Sequence, residues 1–446
     1  MAKIKFHGAA GTVTGSCFEV TSNKGSKILI DFGMFQGPKE ISKLNFEKPQ
    51  FDFQSISGAV LTHAHLDHCG RLPLLSINGY KNKVFMTKAT IDIIDIALHD
   101  AAKIASRDRR PNLYGTSDVE RVLQSCSGVE YREPFTIDGF KITLRDAGHI
   151  LGSASIEVEV DGQKLVFSGD LGNTPEDLLK PTEKIDSAEV VLLESTYGGR
   201  LHPEEPSEEI FRREINTIEM TGGVLLIPSF SIERTQILLH LIDHFKKQGK
   251  VKNETQVFLD SPMALKVTRV FKKYPGLYNV EAAEHARNDD PFDFPGFTAV
   301  ESVKQSKRLK NISGPKVIIA GSGMMTGGRI LHHALDYFSI DSTRLLIVGF
   351  QAKGTLGRRI HEGEKKIKMY GERVNMKAQV TEISGFSAHA DQVQLLDWLR
   401  AIKNVKQVII IHGEDEEREA LKKKINSDLN ISNILLPNLH EEINLL

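Results

Sequence analysis

Cysteines are few, long apolar runs are missing, and neither sign of charge dominates. The 446 residues include only Cys17, Cys69 and Cys126, whose odd number and wide spacing fit reduced thiols better than a disulfide framework. No run of about 18 apolar residues offers a membrane span, and the opening MAKIKFHGAA lacks the charged-then-apolar profile of a signal peptide. These absences argue against a secreted or membrane-bound protein and predict a cytoplasmic one.

The balance of charges gives no indication of a polyanionic partner. Lys and Arg number 57 against 58 Asp and Glu, so no global positive field points to a polyanionic partner. Any binding of nucleic acid would have to use local patches. The length, with a hydrophobic content of 40%, permits a large core and predicts two or three domain-sized units.

Hydrophobic patterning predicts strands alternating with helices, as in a layered α/β protein. The first third reads mostly as strands: KIKFHGAAGTVTGSCFEV as two, then KILIDFG and GAVLTH, followed by a helix from residue 87. A second strand group contains a hairpin turn at Asp161 and Gly162. Beyond about residue 205, helices and buried strands alternate as in a parallel sheet, and the chain closes with strand, loop, helix, strand and helix.

The stretch LTHAHLDHCGRLP, residues 61–73, crowds four ligating side chains into six positions. His63 and His65 are two apart at the end of a predicted strand, so both project to the same side as the chain enters a loop. Asp67 and His68 follow, where a turn into a helix could aim them at the same point. Imidazole nitrogens with a carboxylate suit Zn²⁺. The alternative is a cluster of solvated polar residues in a loop.

Three further candidates each follow an apolar strand: His149 in RDAGHILGS, Asp170 in VFSGDLG and His412 in IIIHGED. Strand ends with adjacent glycines are where a sheet presents polar groups to a shared pocket. Taken alone, a histidine in such a place is more often a packing residue than a ligand, and this holds above all for His412.

These motifs together resemble those of the metallo-β-lactamase superfamily. THAHLDHCGRLP resembles its H-x-H-x-D-H signature, and DAGHILGSAS and FSGDLG resemble its third and fourth motifs. Asp31 in ILIDFGMFQG matches the first motif, whose aspartate supports the histidine ligands. The resemblance implies an α/β fold, the αββα sandwich, with a metal centre at the edge of its two sheets.

Three more stretches resemble the β-CASP branch, whose characterised members act on nucleic acids. Glu194 in LLESTYGGR matches motif A, His389 in GFSAHAD matches motif B, and His412 in IIIHGE matches motif C. A histidine at motif C is similar to the RNA-processing members. With no stretch before the first strand that would match RNA-binding KH domains, the chain resembles a compact bacterial-type relative of the cleavage-and-polyadenylation endonuclease.

The order of the motifs implies that the sandwich is assembled from both ends of the chain around an inserted α/β β-CASP domain. The expected parts are a metallo-β-lactamase domain over residues 1–204, the β-CASP domain over 205–375 and a C-terminal return to the first domain over 376–446. A narrow cleft between the two domains would admit single-stranded RNA more readily than a duplex.

The resemblance also implies the role of each site residue. One zinc would be held by His63, His65, His149 and Asp170, and a second by Asp67, His68, His412 and again Asp170. A hydroxide bridging the two ions would attack the phosphorus. His389 would be the general acid with Glu194 as its partner, and Asp67 is counted among the catalytic residues as well as the ligands. Without the resemblance, Glu194 would be interpreted as a loop cap and His389 as a residue at a helix N-terminus.

The middle domain contains candidates for binding RNA phosphates. Ser229 and Arg234 in IPSFSIERTQILL stand at a predicted helix start, and Ser322 and Arg329 belong to GSGMMTGGR. The alternative, held nearly equal, is that Ser229 caps the helix and Arg234 makes a surface ion pair. Two more basic residues, Arg358 and Arg359, either line an RNA channel or are solvated.

The predicted function is a zinc-dependent ribonuclease that cleaves single-stranded RNA internally, with trimming from the 5′ end also open. One alternative is a binuclear zinc hydrolase of small esters or thioesters, and another is a catalytically silent RNA-binding scaffold. A complete set of matched ligands argues against the silent scaffold. Two zinc ions per chain are expected, although manganese is open as the physiological metal. A homodimer is one open assembly, and no membrane partner is expected.

Overall fold

The computed structural model describes residues 2–107, 111–174, 177–203, 206–349, 351–352 and 354–445. Contacts divide the chain into two compact units. The first unit comprises Met1–Leu201 and His389–Leu446, and the second comprises His202–Ala388. The first unit is therefore assembled from both ends of the chain.

The division into compact units is not the same as the predicted division into domains, whose boundaries stay a prediction. The expected boundary at residues 204 and 205 lies outside the described residues. At the expected boundary of 375 and 376 the chain stays with the second unit, because strand Gln379–Glu382 pairs in parallel with strand Thr343–Ile347. Parallel pairing between such distant segments leaves no signal in the local sequence.

The strands are, in chain order, β1 (Lys3–Phe6), β2 (Phe18–Thr21), β3 (Lys27–Ile30), β4 (Ile56–Val60), β5 (Val84–Thr87), β6 (Cys126–Val129), β7 (Phe135–Ile137), β8 (Phe140–Asp146), β9 (Ala154–Val160), β10 (Gln163–Phe167), β11 (Val190–Leu193), β12 (Val224–Pro228), β13 (Gln256–Asp260), β14 (Phe297–Ala299), β15 (Lys316–Ala320), β16 (Thr343–Ile347), β17 (Lys366–Met369), β18 (Glu372–Asn375), β19 (Gln379–Glu382), β20 (Gln407–Ile410), β21 (Ile434–Leu435) and β22 (Glu442–Asn444).

The α-helices are α1 (Lys39–Lys43), α2 (Leu66–Cys69), α3 (Pro73–Ile77), α4 (Lys88–Arg107), α5 (Thr116–Ser125), α6 (Ser207–Thr221), α7 (Arg234–Lys247), α8 (Pro262–Phe271), α9 (Val280–Asn288), α10 (Val303–Arg308), α11 (Arg329–Tyr337), α12 (Leu356–His361), α13 (Gln392–Ala401) and α14 (Asp415–Leu429). Short 3₁₀ turns occupy Leu44–Phe46, Phe53–Ser55, Pro275–Leu277, Leu309–Asn311 and Ser384–Phe386.

Two seven-stranded sheets form the centre of the first unit. Their orders are β22-β1-β2-β3-β4-β5-β6 and β21-β20-β11-β10-β9-β8-β7. Alternate residues of both sheets face one core, which includes Phe18 and Ile30 from the first sheet and Ile156, Phe167 and Leu192 from the second. Each sheet thus buries one apolar face against the other, as an aligned sandwich requires.

Helices cover the outer face of each sheet. Residues Leu395 and Leu399 of α13 and Leu421 and Ile425 of α14 pack on the second sheet. On the first sheet, α4 packs against β5 and β6 and buries its apolar stripe. The predicted αββα sandwich is therefore confirmed. The predicted turn between β9 and β10 is also present, with Asp161 and Gly162 at positive φ of 50° and 79°, as a type I′ hairpin needs.

The second unit is built on a six-stranded parallel sheet of order β14-β13-β15-β12-β16-β19. Its strands are buried apolar runs such as VLLIP in β12 and KVIIA in β15, because helices cover a parallel sheet on both faces. A hairpin of β17 and β18 adds a small second sheet. Among the described residues, none of the helices combines the length and apolar character needed to cross a membrane.

Candidate metal centre

The predicted ligands follow strands whose carboxyl ends share an edge of a sheet. Strands β10, β11 and β20 are mutually parallel, so Asp170, Glu194 and His412 come off at the same edge. In the other sheet, β3 and β4 are parallel and lead into Asp31 and His63. This common direction is why residues far apart in sequence meet at one place.

The first ligand group comprises His63, His65, His149 and Asp170, each offering an atom within 4.8 Å of the others. His65 Nδ1 lies 3.2 Å from both His63 Nε2 and His149 Nε2. Asp170 Oδ2 lies 3.5 Å from His63 Nε2 and 3.6 Å from His149 Nε2. All except His65 are buried.

The second ligand group comprises Asp67, His68 and His412, also within 4.8 Å. His68 Nε2 lies 3.1 Å from His412 Nε2, which is 3.6 Å from Asp67 Oδ2. Asp170 Oδ1 lies 3.3 Å from His68 Nε2 and 3.6 Å from His412 Nδ1. Asp170 therefore presents one oxygen to each group, and the structure brings all seven predicted ligands together.

These donor atoms fit zinc. Four ligands of a tetrahedral zinc with bonds near 2.1 Å lie about 3.4 Å apart. In the first ligand group, the distances from His65 to His63 and His149 and from Asp170 to His63 and His149 are 3.2–3.6 Å. Asp170 Oδ1 is buried without a hydrogen-bond partner, which costs free energy unless another group satisfies it. Imidazole and carboxylate donors in this number are the ligand types that zinc prefers.

Asp31 orients the predicted ligand His68 by contacting the ring nitrogen that points away from the second ligand group. Its Oδ2 lies 2.7 Å from His68 Nδ1, which turns His68 Nε2 toward the second group. Asp31 also accepts hydrogen bonds from the backbone N and Oγ1 of Thr62. Ligating histidines usually donate their other ring nitrogen to such a carboxylate. Gly33 permits the close packing here, because a Cβ at this position would lie 1.6 Å from the carbonyl oxygen of Asp67.

The pKa values of the predicted histidine ligands are shifted in both directions. Burial lowers the pKa of His63 well below its usual value and that of His65 to about 4. Burial alone would raise the pKa of Asp170, but the charges of His412 and His68 hold it well below normal. Burial would lower the pKa of His68, yet Asp170 and Asp31 raise it well above normal. A cation would therefore replace a proton at His68.

His389 lies beside the two groups, in the segment that leads into α13. Its Nδ1 is 3.4 Å from Glu194 Oε1 and 3.9 Å from Asp170 Oδ2, and its ring packs 4.6 Å from that of His149. Burial would lower the pKa of His389, but the charge of Glu194, its hydrogen bond and the charge of Asp170 raise it to about 9. Glu194 and Asp170 thus favour the imidazolium form of His389.

Glu194 has a structural role as well. Its Oε1 accepts a hydrogen bond from the backbone N of Leu171, and its Oε2 accepts one from Thr196 N. The carboxylate thus caps the loop after β11, as one interpretation of the sequence had it, while also facing His389. The helix N-cap of α13 is Asp391 rather than His389.

Comparison with known proteins agrees with this geometry. Family models described as the metallo-beta-lactamase superfamily, the Beta-Casp domain and the Zn-dependent metallo-hydrolase RNA specificity domain match residues 10–198, 235–360 and 373–437. A ribonuclease of Thermus thermophilus is 38% identical over 420 residues, which cover 93% of this chain and 94% of that protein. The chain belongs to the metallo-β-lactamase superfamily, in its β-CASP branch. It is a metallo-hydrolase of that branch.

Other relatives and one solved structure extend the comparison. An RNase J-like protein of Methanocaldococcus jannaschii is 31% identical, with 93% of each chain covered. Transcription termination factor FttA of the same organism is 30% identical over 93% of this chain, which spans 67% of the factor's length. A crystal structure of a protein of unknown function from Enterococcus faecalis matches 99% of each chain with a TM-score of 0.56 at 12% identity, which supports the fold alone.

The predicted phosphate-binding residues of the second unit have structural partners. Buried Ser229 donates its hydroxyl to the carbonyl of Phe230 and is not the N-cap of α7, which is Glu233. Arg234 is buried, with its guanidinium 5.7 Å from the ring centre of Phe386, so it is not a surface residue. Their contact with RNA stays a prediction.

The other candidates also have partners within the second unit. Arg329 forms an ion pair with buried Asp260 and donates to the carbonyls of Val300 and Glu301. Its guanidinium thus ties α11 to β13 and the chain after β14. Arg358 and Arg359 pair with Glu362 and Glu364 on the surface. Ser322 accepts a hydrogen bond from Thr326 N in its own loop.

Two threonines at the metal centre were not predicted from the sequence. Thr62 Oγ1 lies 3.0 Å from His63 Nδ1 and 3.3 Å from His68 Nδ1. Thr196 Oγ1 lies 3.1 Å from His412 Nδ1. Each stands within two residues of a motif residue, and that adjacency is the only signal in the sequence. A hydroxyl can donate to or accept from an imidazole, so both can fix a ring orientation.

Proposed function

We propose that this β-CASP protein is a zinc-dependent ribonuclease that hydrolyses phosphodiester bonds of single-stranded RNA. The observation that carries the proposal is the pair of ligand groups sharing Asp170, with His389 and Glu194 beside them. The relatives named ribonuclease and RNase J-like protein, and the family model named for RNA specificity, support RNA as the substrate.

Two zinc ions per chain are proposed. The first ligand group would hold one ion, and the second group with Asp170 would hold the other. When bound, such ions lower the pKa of a bound water toward neutrality and offset negative charge that builds on the scissile phosphate. Asp31 and Thr62 keep His68 and His63 in the rotamers that point their nitrogens inward. Because Asp170 would be a ligand of both ions, binding of one ion would affect binding of the other.

His389 is proposed as the general acid that protonates the leaving ribose oxygen. Its Nδ1 faces Glu194, so Nε2 is the proposed donor atom. A carboxylate at that distance stabilises the imidazolium and fixes the ring, which is the arrangement that a positioned proton donor needs. Asp67 is proposed to act within the second ligand group. The candidate phosphate contacts are Ser229, Arg234, Ser322 and Arg329.

Internal cleavage is the proposed mode, with removal of 5′ nucleotides as a second activity. The proposed compartment is the cytoplasm, supported by the three cysteines, all of which carry free thiols, as is usual in a reducing environment. The proposed assembly is a homodimer. Light scattering of the zinc-loaded protein tests the last point, since a monomer mass near 49.7 kDa would contradict it.

The first experiment is cleavage of a single-stranded RNA labelled at its 5′ end. The zinc-loaded wild type is compared with Asp67→Ala, and with Asp341→Ala as a matched control, because the Asp341 side chain is 81% exposed and outside the metal centre. Internal fragments from the wild type and the control, but not from Asp67→Ala, support an endoribonuclease. Labelled mononucleotides would indicate 5′ trimming instead.

Two outcomes would support the other functions. Hydrolysis of a thioester without cleavage of RNA would support a small-ester hydrolase. RNA binding with two zinc ions and no turnover of either substrate would support the silent scaffold. The RNA specificity match at residues 373–437 favours RNA over small esters, and the complete set of ligands favours catalysis over the silent scaffold.

A further inference from the structure

In the parallel sheet of the second unit, the chain leaves the neighbouring strands β12 and β15 in opposite directions, and we call the space beyond their carboxyl ends the reversal point. From β12 the chain crosses through α7 to β13, two places away on one side, and from β15 it crosses through α11 to β16, two places away on the other. Strands β12 and β15 are adjacent. Right-handed crossovers in opposite directions put α7 and α11 on opposite faces. The crevice beyond the carboxyl ends of β12 and β15 is therefore where a ligand of such a sheet binds.

Phe230 stands at this reversal point. It is the second residue after β12, and its ring packs on Gly323 in the loop after β15 and on Gly349 after β16. A Cβ at Gly323 would come within 2.7 Å of the ring, and one at Gly349 within 3.2 Å. Glycine at both positions therefore makes the seat for the ring. Even so, 38% of Phe230 is exposed.

Hydrogen bonds hold the loops that form the seat. Gln351, which is buried, donates its Nε2 to the carbonyls of Gly323 and Gly349, at 3.0 Å each, and so joins the two loops. The carbonyl of Phe230 accepts hydrogen bonds from Thr235 Oγ1 at 2.7 Å and Ser229 Oγ at 3.2 Å. A single exposed aromatic is ordinary on a protein surface. An aromatic fixed by two loops at the reversal point of a parallel sheet is a preorganised surface.

We propose that Phe230 is a stacking platform for one unpaired base of the RNA substrate. This inference rests on the proposed ribonuclease function and adds a base-binding position on the second unit. An exposed ring with a fixed orientation stacks on any base, because every base has a π-face, and it would do so only where the base is unpaired. The platform thus gives a physical reason for preferring single-stranded RNA without reading its sequence.

The test is a double-mutant cycle between the protein and the RNA. Affinity is measured for full-length zinc-loaded wild type and Phe230→Ala, using a single-stranded RNA and a series in which one abasic nucleotide is moved along the strand. Stacking of one base predicts a loss of roughly 5- to 150-fold for Phe230→Ala on intact RNA. At one position of the abasic nucleotide, the wild type should lose affinity by a similar factor while Phe230→Ala should lose nothing further.

Two more variants separate stacking from packing. Phe230→Leu retains an apolar side chain on the two glycines but has no π-face, so it should behave like Phe230→Ala, whereas Phe230→Tyr should bind like the wild type. Met220→Ala is the matched control, because Met220 is 80% exposed at the end of α6, just before β12 and so at the opposite edge of the sheet. This control should leave affinity unchanged.

The platform fails if wild-type enzyme cleaves RNA while Phe230→Ala and Phe230→Leu bind intact RNA as tightly as the wild type. It also fails if the abasic series costs both proteins the same factor at every position. Wild-type enzyme that neither binds nor cleaves RNA would overturn the proposed function and the platform together. Cleavage by the wild type therefore distinguishes the two failures.

Discussion

At the scale of single residues, the division of labour around Asp170 and His389 is the main chemical feature. Asp170 is 2% exposed and faces both ligand groups, while the His389 side chain is 21% exposed and contacts Asp170 only at 3.9 Å. The distances given above between the seven predicted ligands do not involve His389. Loss of His389 should therefore affect proton transfer and leave the ligand groups intact.

His389→Ala is expected to lower kcat by roughly 100- to 10,000-fold, the range for loss of a general acid, while retaining the zinc content of the wild type. Single-turnover cleavage and elemental analysis of the same preparation measure the two effects. His99→Ala is the matched control, since His99 of α4 pairs with Asp95 and belongs to neither ligand group. Loss of zinc in proportion to loss of activity would make His389 a ligand in function and contradict its assignment as the acid.

At the scale of secondary structure elements, the first three strands are joined by polar contacts to one buried carboxylate. Glu19 on β2 is 4% exposed. It contacts Lys27 of β3 at 2.7 Å and His7, just after β1, at 3.2 Å. Burial would raise the pKa of Glu19, but its hydrogen bonds to His7 and Lys27 lower it to about 2. The ionised carboxylate therefore stabilises the folded arrangement of these strands.

This network predicts a specific dependence of stability on pH. The pKa of Glu19 is depressed in the folded state, so its stabilising effect is complete above about 4.5, its unfolded value, and is lost as the pH falls toward 2. Glu19→Gln should reduce the free energy of unfolding on the order of 3 kcal/mol at pH 7. Denaturant unfolding of the zinc-free proteins measures the difference, because loss of zinc at low pH then does not enter the comparison.

A control variant and the pH trend test whether Glu19 acts through its charge. Glu442→Gln removes an exposed partner of Lys3 in the same sheet and should change stability little. The difference between wild type and Glu19→Gln should shrink steadily between pH 4.5 and pH 2. A difference that stayed constant over this interval would mean that Glu19 acts through packing and not through its charge.

The same scale explains what the sequence could and could not predict. His63, His65, Asp67 and His68 form a local motif, so the position of the metal centre could be predicted from adjacent residues. Strand β22 is three residues long and is recognisable only through its pairing with β1, more than 430 positions earlier in the chain. Arg329 forms an ion pair with Asp260, 69 positions earlier in the chain, and nothing in the local sequence indicates this partner. Pairings of this kind depend on the tertiary fold, which no local pattern encodes.

At the scale of the whole molecule, unfolding of the first unit can be followed by itself, because the single tryptophan of the chain lies in that unit. Trp398 belongs to α13 in the first unit, is 7% exposed and donates its indole N–H to the carbonyl of Glu183 at 3.2 Å. The core around it also includes residues of β10, β11 and β20, the strands that lead into Asp170, Glu194 and His412. Tryptophan fluorescence therefore reports unfolding of the unit that carries the metal centre.

Removal of zinc should lower the unfolding midpoint reported by Trp398 fluorescence. Ions that bind only the folded ligand groups stabilise that unit by RT ln(1 + [L]/Kd), about 4 kcal/mol when free zinc is a thousand times Kd. The second unit contains none of the seven ligands and has its own core. A fragment of residues 206–388 should accordingly melt at the same temperature with and without chelator. Far-ultraviolet circular dichroism measures this melting temperature. A chelator effect of equal size on the fragment would show that the metal stabilises the protein elsewhere than at the two ligand groups.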